Sequence, residues 1–422
     1  MPQVASGLRS GDPYKNPELF RWLGSLEGVP EYVDPAETAS ERAAWSPWQR
    51  RSNHVFELAG TTLPGVALAL LLAFLGGILA DWFGLSLLGF EKTPLSPILV
   101  AILLGLCIRN GIGLPAVYEA GLQLCLKRIL RIGVALLGIR LSLEAAGTIG
   151  LVAVPIVVSC IIAALLLVTW INRTLGLPGR LGTLIAVGTA ICGNTAIVAT
   201  APVINAEDDE VSYAVGCITV FGLLALMSYP FVSHWLFDGN PQLAGLFLGT
   251  AIHDTAQVAG AGMVYQQQFG TGQALDTATV TKLVRNLFML AVIPIMGIVY
   301  HRSAVERQSL SRPKLAQMVP LFVFGFVAMT LLRTLGDLGS QPFGLLSTEA
   351  WERFIRATGQ VAGWCLVVAM ASVGLGTSFD RLKNLGLRPL AVGLLAALLV
   401  GGVSLILIQF VGPFMTRIGA AG

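Results

Sequence analysis

The chain has 422 residues, 55% of them apolar and 12% charged, with a mean hydropathy of +0.74. Soluble domains carry about 25% charged residues, so this composition excludes a water-soluble globule and makes the bilayer the expected solvent. The formal net charge is only +3 and no basic run is interleaved with aromatics, so nucleic acid is not an expected partner.

Residues 1–57 are polar, carry Pro13, Pro17, Pro30, Pro35 and Pro47, and lack the apolar stretch of a cleaved signal peptide. They read as a cytoplasmic N-terminal extension, followed by one transmembrane transporter domain over 58–422. Trp45, Trp48, Arg50 and Arg51 precede the first apolar run, and indoles and cations suit the headgroup layer there.

Apolar runs between polar breaks lie near 62–80, 96–110, 121–140, 147–171, 181–204, 211–236, 242–263, 279–300, 315–335, 354–378 and 388–412. Each is close to the roughly 20 residues that cross a hydrocarbon core. The expectation is an all-α membrane protein with about eleven transmembrane helices. Lys and Arg concentrate in residues 1–61, at Lys127 and Arg128, at Arg173 and Arg180, in the 301–314 loop, and at Arg381, Lys383 and Arg388. These segments share one side of an eleven-span chain, and cytoplasmic loops are enriched in such residues. The N-terminus is therefore expected inside and the C-terminus outside.

Two internal echoes suggest repeats. The stretch Arg131–Leu143 resembles Ala369–Phe379, each a glycine-containing helix end before a polar break, and in the topology above the two run in opposite directions. That is the inverted repeat of many secondary transporters. Gly188–Ala196 also resembles Gly249–Ala256 with one residue of slip. If every span crosses fully these two run the same way, so they are either a parallel pair or include a re-entrant segment.

These echoes carry the candidate chemistry. Cys192, Gly193, Asn194 and Thr195 stand in mid-membrane with Pro202 behind them, a sequence that lets a helix break and expose backbone N–H groups to an anion. The plain alternative is a continuous helix using small residues for packing. His253, Asp254, Thr255 and Gln257 form the matching polar group, and ionisable residues at such depth are costly and usually functional. Asp254 is expected to exchange a proton if desolvation dominates, or to remain an ionised counter-ion if Lys282 or Arg285 lies close. Lys282 and Arg285 share one helix face, with Asn286 a turn from Lys282, and this face is expected either to receive a divalent anion or to snorkel to the headgroups. Arg131 is an additional candidate and Arg140 a weaker one. The acids of Glu207–Glu210 read as a solvated loop.

All six cysteines lie in or at the ends of apolar runs without a C-x-x-C pair, so neither a disulfide framework nor a metal centre is expected. The absence of G-x-x-x-x-G-K-[ST] argues against ATP drive. Cys192 and His253 are a conceivable nucleophile and base, but no third group is placed by the sequence, so an enzyme is not expected.

Ile102–Gly105, Leu130–Gly133, Leu137–Leu141, Ile191–Ala196, Ala199–Pro202, His253–Val258, Lys282–Arg285 and Val373–Gly376 occur in an order that resembles the YeiH-type sulfate exporter family, over residues of about 60 to 412. The resemblance implies a fold related to bile-acid symporters and cation/proton antiporters, with broken helices crossing near the substrate. It implies a secondary transporter of sulfate or a related sulfur oxyanion in the bacterial inner membrane, working as an exporter. The expected partners are a small anion, the lipid bilayer and a coupling proton or sodium ion, without a bound cofactor; assembly as a homo-oligomer suits this class. The alternative reading is a cation/proton antiporter in which Asp254 and Asn194 carry the ion.

Overall fold

The computed structural model describes residues 47–83, 96–303, 321–338, 342–344, 347–379 and 387–419, and among them every regular element is helical. Most of the N-terminal extension and of the 301–314 loop lies outside the described residues. The chain divides between Gly60 and Thr61 into two units, and the architecture below belongs to Thr61–Gly422.

All eleven apolar segments form helices over their described residues. They become α1 (Pro47–Asp81), α2 (Pro97–Cys107), a rod of α3 (Glu119–Leu124) and α4 (Leu130–Leu136) joined by a wide turn at Cys125–Ile129, and α5 (Leu143–Thr174). Then come α6 (Gly179–Ala190), α7 (Asn194–Thr200), α8 (Asp208–Leu236), α9 (Pro241–Ala251), α10 (Thr255–Phe269), α11 (Gln273–Leu287) and α12 (Met289–Ser303). The series closes with α13 (Leu321–Gly336), α14 (Thr348–Gly376) and α15 (Leu387–Gly419). By length and composition five helices are able to cross a membrane: Ala59–Asp81, Leu143–Thr174, Asp208–Leu236, Thr348–Gly376 and Arg388–Phe410. These five are counted among the described residues, and α11 with the Met289–Val299 part of α12, bent by 41° at their junction, makes a sixth where the bent pair is taken as one span. The chain is thus a helical multi-pass membrane protein.

Local chemistry sets the helix ends. Ser142 caps α5 by accepting from the Ala145 N–H, and Ser347 caps α14 by accepting from Ala350. The acids at 207–210 have a structural use: Glu207 and Glu210 form a reciprocal capping box at the start of α8, where carboxylates meet the positive helix end. Glu207 also pairs with Arg180 at 3.3 Å.

Two groups of helices pack internally. In one, α14 lies against α2 and the α3–α4 rod, with α13 beside that rod; in the other, α5 to α11 and α15 surround the broken segments. Helix α10 touches both groups. The crossing of α2 and α14 requires glycine on both sides. A Cβ on Gly374 would lie 2.3 Å from the Ile102 carbonyl oxygen, and one on Gly105 would lie 2.7 Å from the Leu375 nitrogen. Close backbone approach of this kind is how helices associate where no hydrophobic effect separates them from lipid.

The echo at 188–196 and 249–256 is two interrupted helices. With 12 and 11 residues, α6 and α9 extend only about 16–18 Å each, well short of a hydrocarbon core of about 30 Å. Each continues after its break, as α7 and α10 respectively. The first break turns on Gly193, at φ 67° and ψ −125°, a conformation that L side chains rarely adopt. This is the residue by which the first echo exceeds the second.

Candidate functional site

The two half-helices α6 and α9 end inside the protein, and a helix end leaves its last four carbonyls without intrahelical partners. Part of the deficit is met locally: Ile191 N–H donates to Val187, Gly193 N–H to Gly188, and Ile252 N–H to Leu248. Much of the remainder is met by α11. Arg285 donates from Nε to the Ala190 carbonyl at 2.7 Å, from Nη1 to Thr250 at 2.6 Å and Ile252 at 3.3 Å, and from Nη2 to Thr189. Lys282 Nζ donates to the Ile191 carbonyl at 2.8 Å, to Ile252 at 3.1 Å, and to His253.

These contacts follow the echo. Thr189 aligns with Thr250 and both carbonyls receive Arg285; Ile191 aligns with Ile252 and both receive Lys282. One pair of cations therefore closes two equivalent helix ends. Lys282 and Arg285 are 1% and 0% exposed, so neither snorkels to a headgroup. All three ammonium protons of Lys282 have carbonyl partners, which revises the picture of a free cationic face awaiting substrate. The cations act on the site chiefly through their field and through the helix ends they hold.

The opposite ends of the breaks meet at Asp254. Its Oδ1 accepts from the Ala256 N–H at 2.8 Å, capping α10. The second carboxylate oxygen lies 3.1 Å from where a Cβ on Gly193 would be, so the two breaks are in contact. Asp254 stands where Asn194 stands in the echo, and its carboxylate caps α10 while facing Gly193 at the first break.

Around it, Asn194 Nδ2 donates to Thr219 Oγ1 at 3.2 Å, Gln257 Nε2 donates to the Thr219 carbonyl at 3.0 Å, and Asn286 Nδ2 donates to Thr255 Oγ1 at 3.2 Å. The amide oxygens of Asn194, Gln257 and Asn286 are buried without a hydrogen-bond partner, as is His253 Nδ1. The orientation of Gln257 is fixed by its partner, because a carbonyl can only accept. The Cys192 thiol donates to Met289 Sδ at 3.6 Å. Asn194, Thr219, Asp254 and Thr255 are partly exposed, so access leads to the carboxylate side of the crossing while the cations stay enclosed.

The structure thus brings together Cys192, Gly193, Asn194, His253, Asp254, Thr255, Gln257, Lys282 and Arg285. Thr195 lies close by on the exposed side of α7. Arg131 is exposed on α4 and makes none of these contacts. Arg140 pairs elsewhere, with Asp276 at 2.9 Å and Gln266 at 3.1 Å. Thr219 was not legible as a member: a single threonine inside an apolar helix carries no signal until the fold sets it between Asn194 and Gln257. Asn286 had a signal, one turn from Lys282.

The chain is thus a multi-pass helical membrane protein with discontinuous helices, whose two breaks meet at the Asp254 carboxylate and whose helix ends are closed by Lys282 and Arg285. Residues 65–393 match the family described as conserved hypothetical protein 698, and the chain belongs to that family, the YeiH-type membrane proteins that the motifs resemble. It is 29% identical over 359 residues to a UPF0324 membrane protein of Fusobacterium nucleatum, covering 83% of this chain and 99% of the relative. It is 32% identical to UPF0324 membrane proteins of Bartonella henselae, over 82% of this chain and 92% of the relative, and of Agrobacterium fabrum, over 81% and 91%. No solved structure matches the chain.

Proposed function

We propose that the protein is a secondary transporter that carries a small oxyanion of the sulfate type across the bacterial inner membrane, in the outward direction. One observation carries this reading: the crossing holds two cations, Lys282 and Arg285, against one carboxylate, Asp254. An open helix end is equivalent to roughly half a charge, so the two negative ends at α6 and α9 offset the two positive ends at α7 and α10. One positive charge is left over in an apolar setting, and an anion arriving at the accessible carboxylate side neutralises it.

The finer architecture belongs to the same reading. Eleven crossings, an internal N-terminus and an external C-terminus are supported by the helical segments and the positive-residue bias, and an inverted pair of repeats by the echo of Arg131–Leu143 in Ala369–Phe379. Export suits the electrical gradient, because a divalent anion leaving a cell at 100 mV, inside negative, gains roughly 4.6 kcal/mol.

The unpartnered amide oxygens of Asn194, Gln257 and Asn286 favour a second reading, a cation/proton antiporter at Asp254 and Asn194, since hard oxygens suit a small cation. Thermal stabilisation of the purified full-length protein separates the two. A ligand at about 100 times its Kd stabilises by about 2.7 kcal/mol, so sulfate, sulfite, thiosulfate or a sulfonate is expected to raise the melting temperature in sodium-free buffer. Stabilisation by sodium alone, with none from any oxyanion, would replace the anion reading with the antiporter.

A further inference from the structure

We propose that Asp254 is the proton carrier of this site: as a carboxylate it occupies the backbone N–H at the start of α10 that a bound oxyanion needs, and its protonation releases it, so each anion binds together with one proton. The inference rests on the oxyanion reading above and adds its coupling.

Three observations converge. First, the carboxylate is already the anion of the crossing. Its Oδ1 holds the N–H of Ala256 at the start of α10 and its second oxygen faces Gly193 at the first break, so an anion arriving there has to displace it or bind elsewhere. Second, Lys282 offers no alternative berth, because its three donors are committed to the Ile191, Ile252 and His253 carbonyls. Third, the surroundings contain acceptors that an ionised Asp254 cannot use. Asn286, 1% exposed, has its amide on Thr255, the first residue of α10, and leaves its oxygen without a partner; Asn194 Oδ1 is likewise unpartnered. A carboxylate only accepts, whereas a carboxylic acid has an O–H to donate.

The groups that bear on this titration are few. Lys282 on α11 and Cys192 at the first break are the ionisable neighbours, His253 precedes Asp254 in the chain, and Arg285 lies one turn beyond Lys282. From α7, α8 and α10 the site receives only the uncharged Asn194, Thr219, Thr255 and Gln257. On protonation the excess positive charge of the crossing rises from one to two, which matches a divalent oxyanion. No bond other than the carboxyl O–H forms, and the proton returns to water when the anion leaves.

The test is calorimetric titration of full-length protein with sodium-free sulfate between pH 5 and 9, in buffers of different ionisation enthalpy. The wild type is expected to take up one proton per sulfate and to tighten about tenfold for each unit of pH lowered through the titrating range. Asp254→Asn keeps an oxygen for the Ala256 N–H, and Asn is an equally good helix cap, so the fold is expected to survive. Its NH₂ imitates the protonated acid, and its affinity is expected to be independent of pH and equal to the acid limit of the wild type. Zero proton uptake with intact sulfate binding overturns the proposal and leaves the oxyanion reading standing, as does an Asp254→Asn variant that keeps the wild-type pH slope. Affinity that follows sodium instead of protons also overturns it. Failure of the wild type to bind sulfate, sulfite or thiosulfate at every pH overturns the oxyanion reading itself. The proton count needs only the wild type, so it decides the matter even if the variant fails to fold.

Discussion

Replacing Arg285 by Met tests whether the cation holds the interrupted helices together. The side chain is 0% exposed and donates to the carbonyls of Thr189, Ala190, Thr250 and Ile252. Ile252 keeps Lys282 as a donor, so three carbonyls lose the bond that Arg285 supplied. A buried polar group left unsatisfied costs about 1–3 kcal/mol. Three of them amount to roughly 3–6 kcal/mol once relief from the desolvated guanidinium is allowed for, a large part of the roughly 5–15 kcal/mol that separates folded from unfolded proteins. At about 2 °C per kcal/mol for a large domain, the melting temperature in detergent is expected to fall by roughly 6–12 °C. Arg285→Lys retains the charge but replaces a fork that reaches four carbonyls by a single nitrogen with three donors, so an intermediate loss is expected. The assay is size-exclusion thermostability of the three proteins side by side. An Arg285→Met protein that melts with the wild type would refute the reasoning, because the carbonyls would then be satisfied without the cation.

Other perturbations address separate elements. Gly193→Ala forces a side chain into a positive-φ position and sets its Cβ 3.1 Å from the Asp254 Cα and Oδ2; strain of about 1–3 kcal/mol is expected to lower the melting temperature and weaken sulfate binding, both read on the purified variant. Glu207→Ala removes the capping box of α8 and the contact with Arg180, with an expected loss of about 0.5–2 kcal/mol and no change in ligand affinity by calorimetry. At the end of α13, burial pushes the Asp337 carboxyl up, but hydrogen bonds from Trp351 and Arg333 together with the Arg333 charge outweigh it and hold the group below the usual carboxylate range. A carboxylate whose folded pKa is depressed contributes stability above its unfolded value of about 3.9 and loses it as pH falls. Asp337→Asn is therefore expected to lower the melting temperature at pH 7 and to converge with the wild type at acid pH; a constant offset across pH would assign the effect to packing.

Much of the fold was written in the sequence, for identifiable reasons. Runs such as 147–171 and 211–236 are apolar over a bilayer's thickness, so their helices follow from hydropathy alone. The breaks were legible because Gly193-Asn194-Thr195 and His253-Asp254-Thr255 interrupt oil with groups that hydrogen-bond the backbone, and because the two interruptions repeat one another. What one dimension could not supply was the direction of the cations. Spacing places Lys282 and Arg285 on one face, but only the packing of α11 against both α6 and α9 shows that this face meets the ends of two other helices. A lysine that binds substrate and a lysine that closes a helix end look alike in sequence. The acids at 207–210 illustrate the same limit: a solvated loop and a capping box use the same letters, and the difference lies in where α8 begins. Thr219 gains its place solely from neighbours that are 25 and 38 residues away.

The central claim is transport of an oxyanion through the crossing of the two breaks, and counterflow in proteoliposomes tests it most directly. Vesicles containing the full-length protein and loaded with unlabelled sulfate are diluted into a trace of radiolabelled sulfate, and entry of label is followed with and without the protein. The account predicts protein-dependent accumulation of label that is faster at acid than at alkaline pH and lost in Gly193→Ala. Folded, correctly inserted protein that exchanges neither sulfate nor sulfite nor thiosulfate, at any pH and with or without sodium, would contradict it.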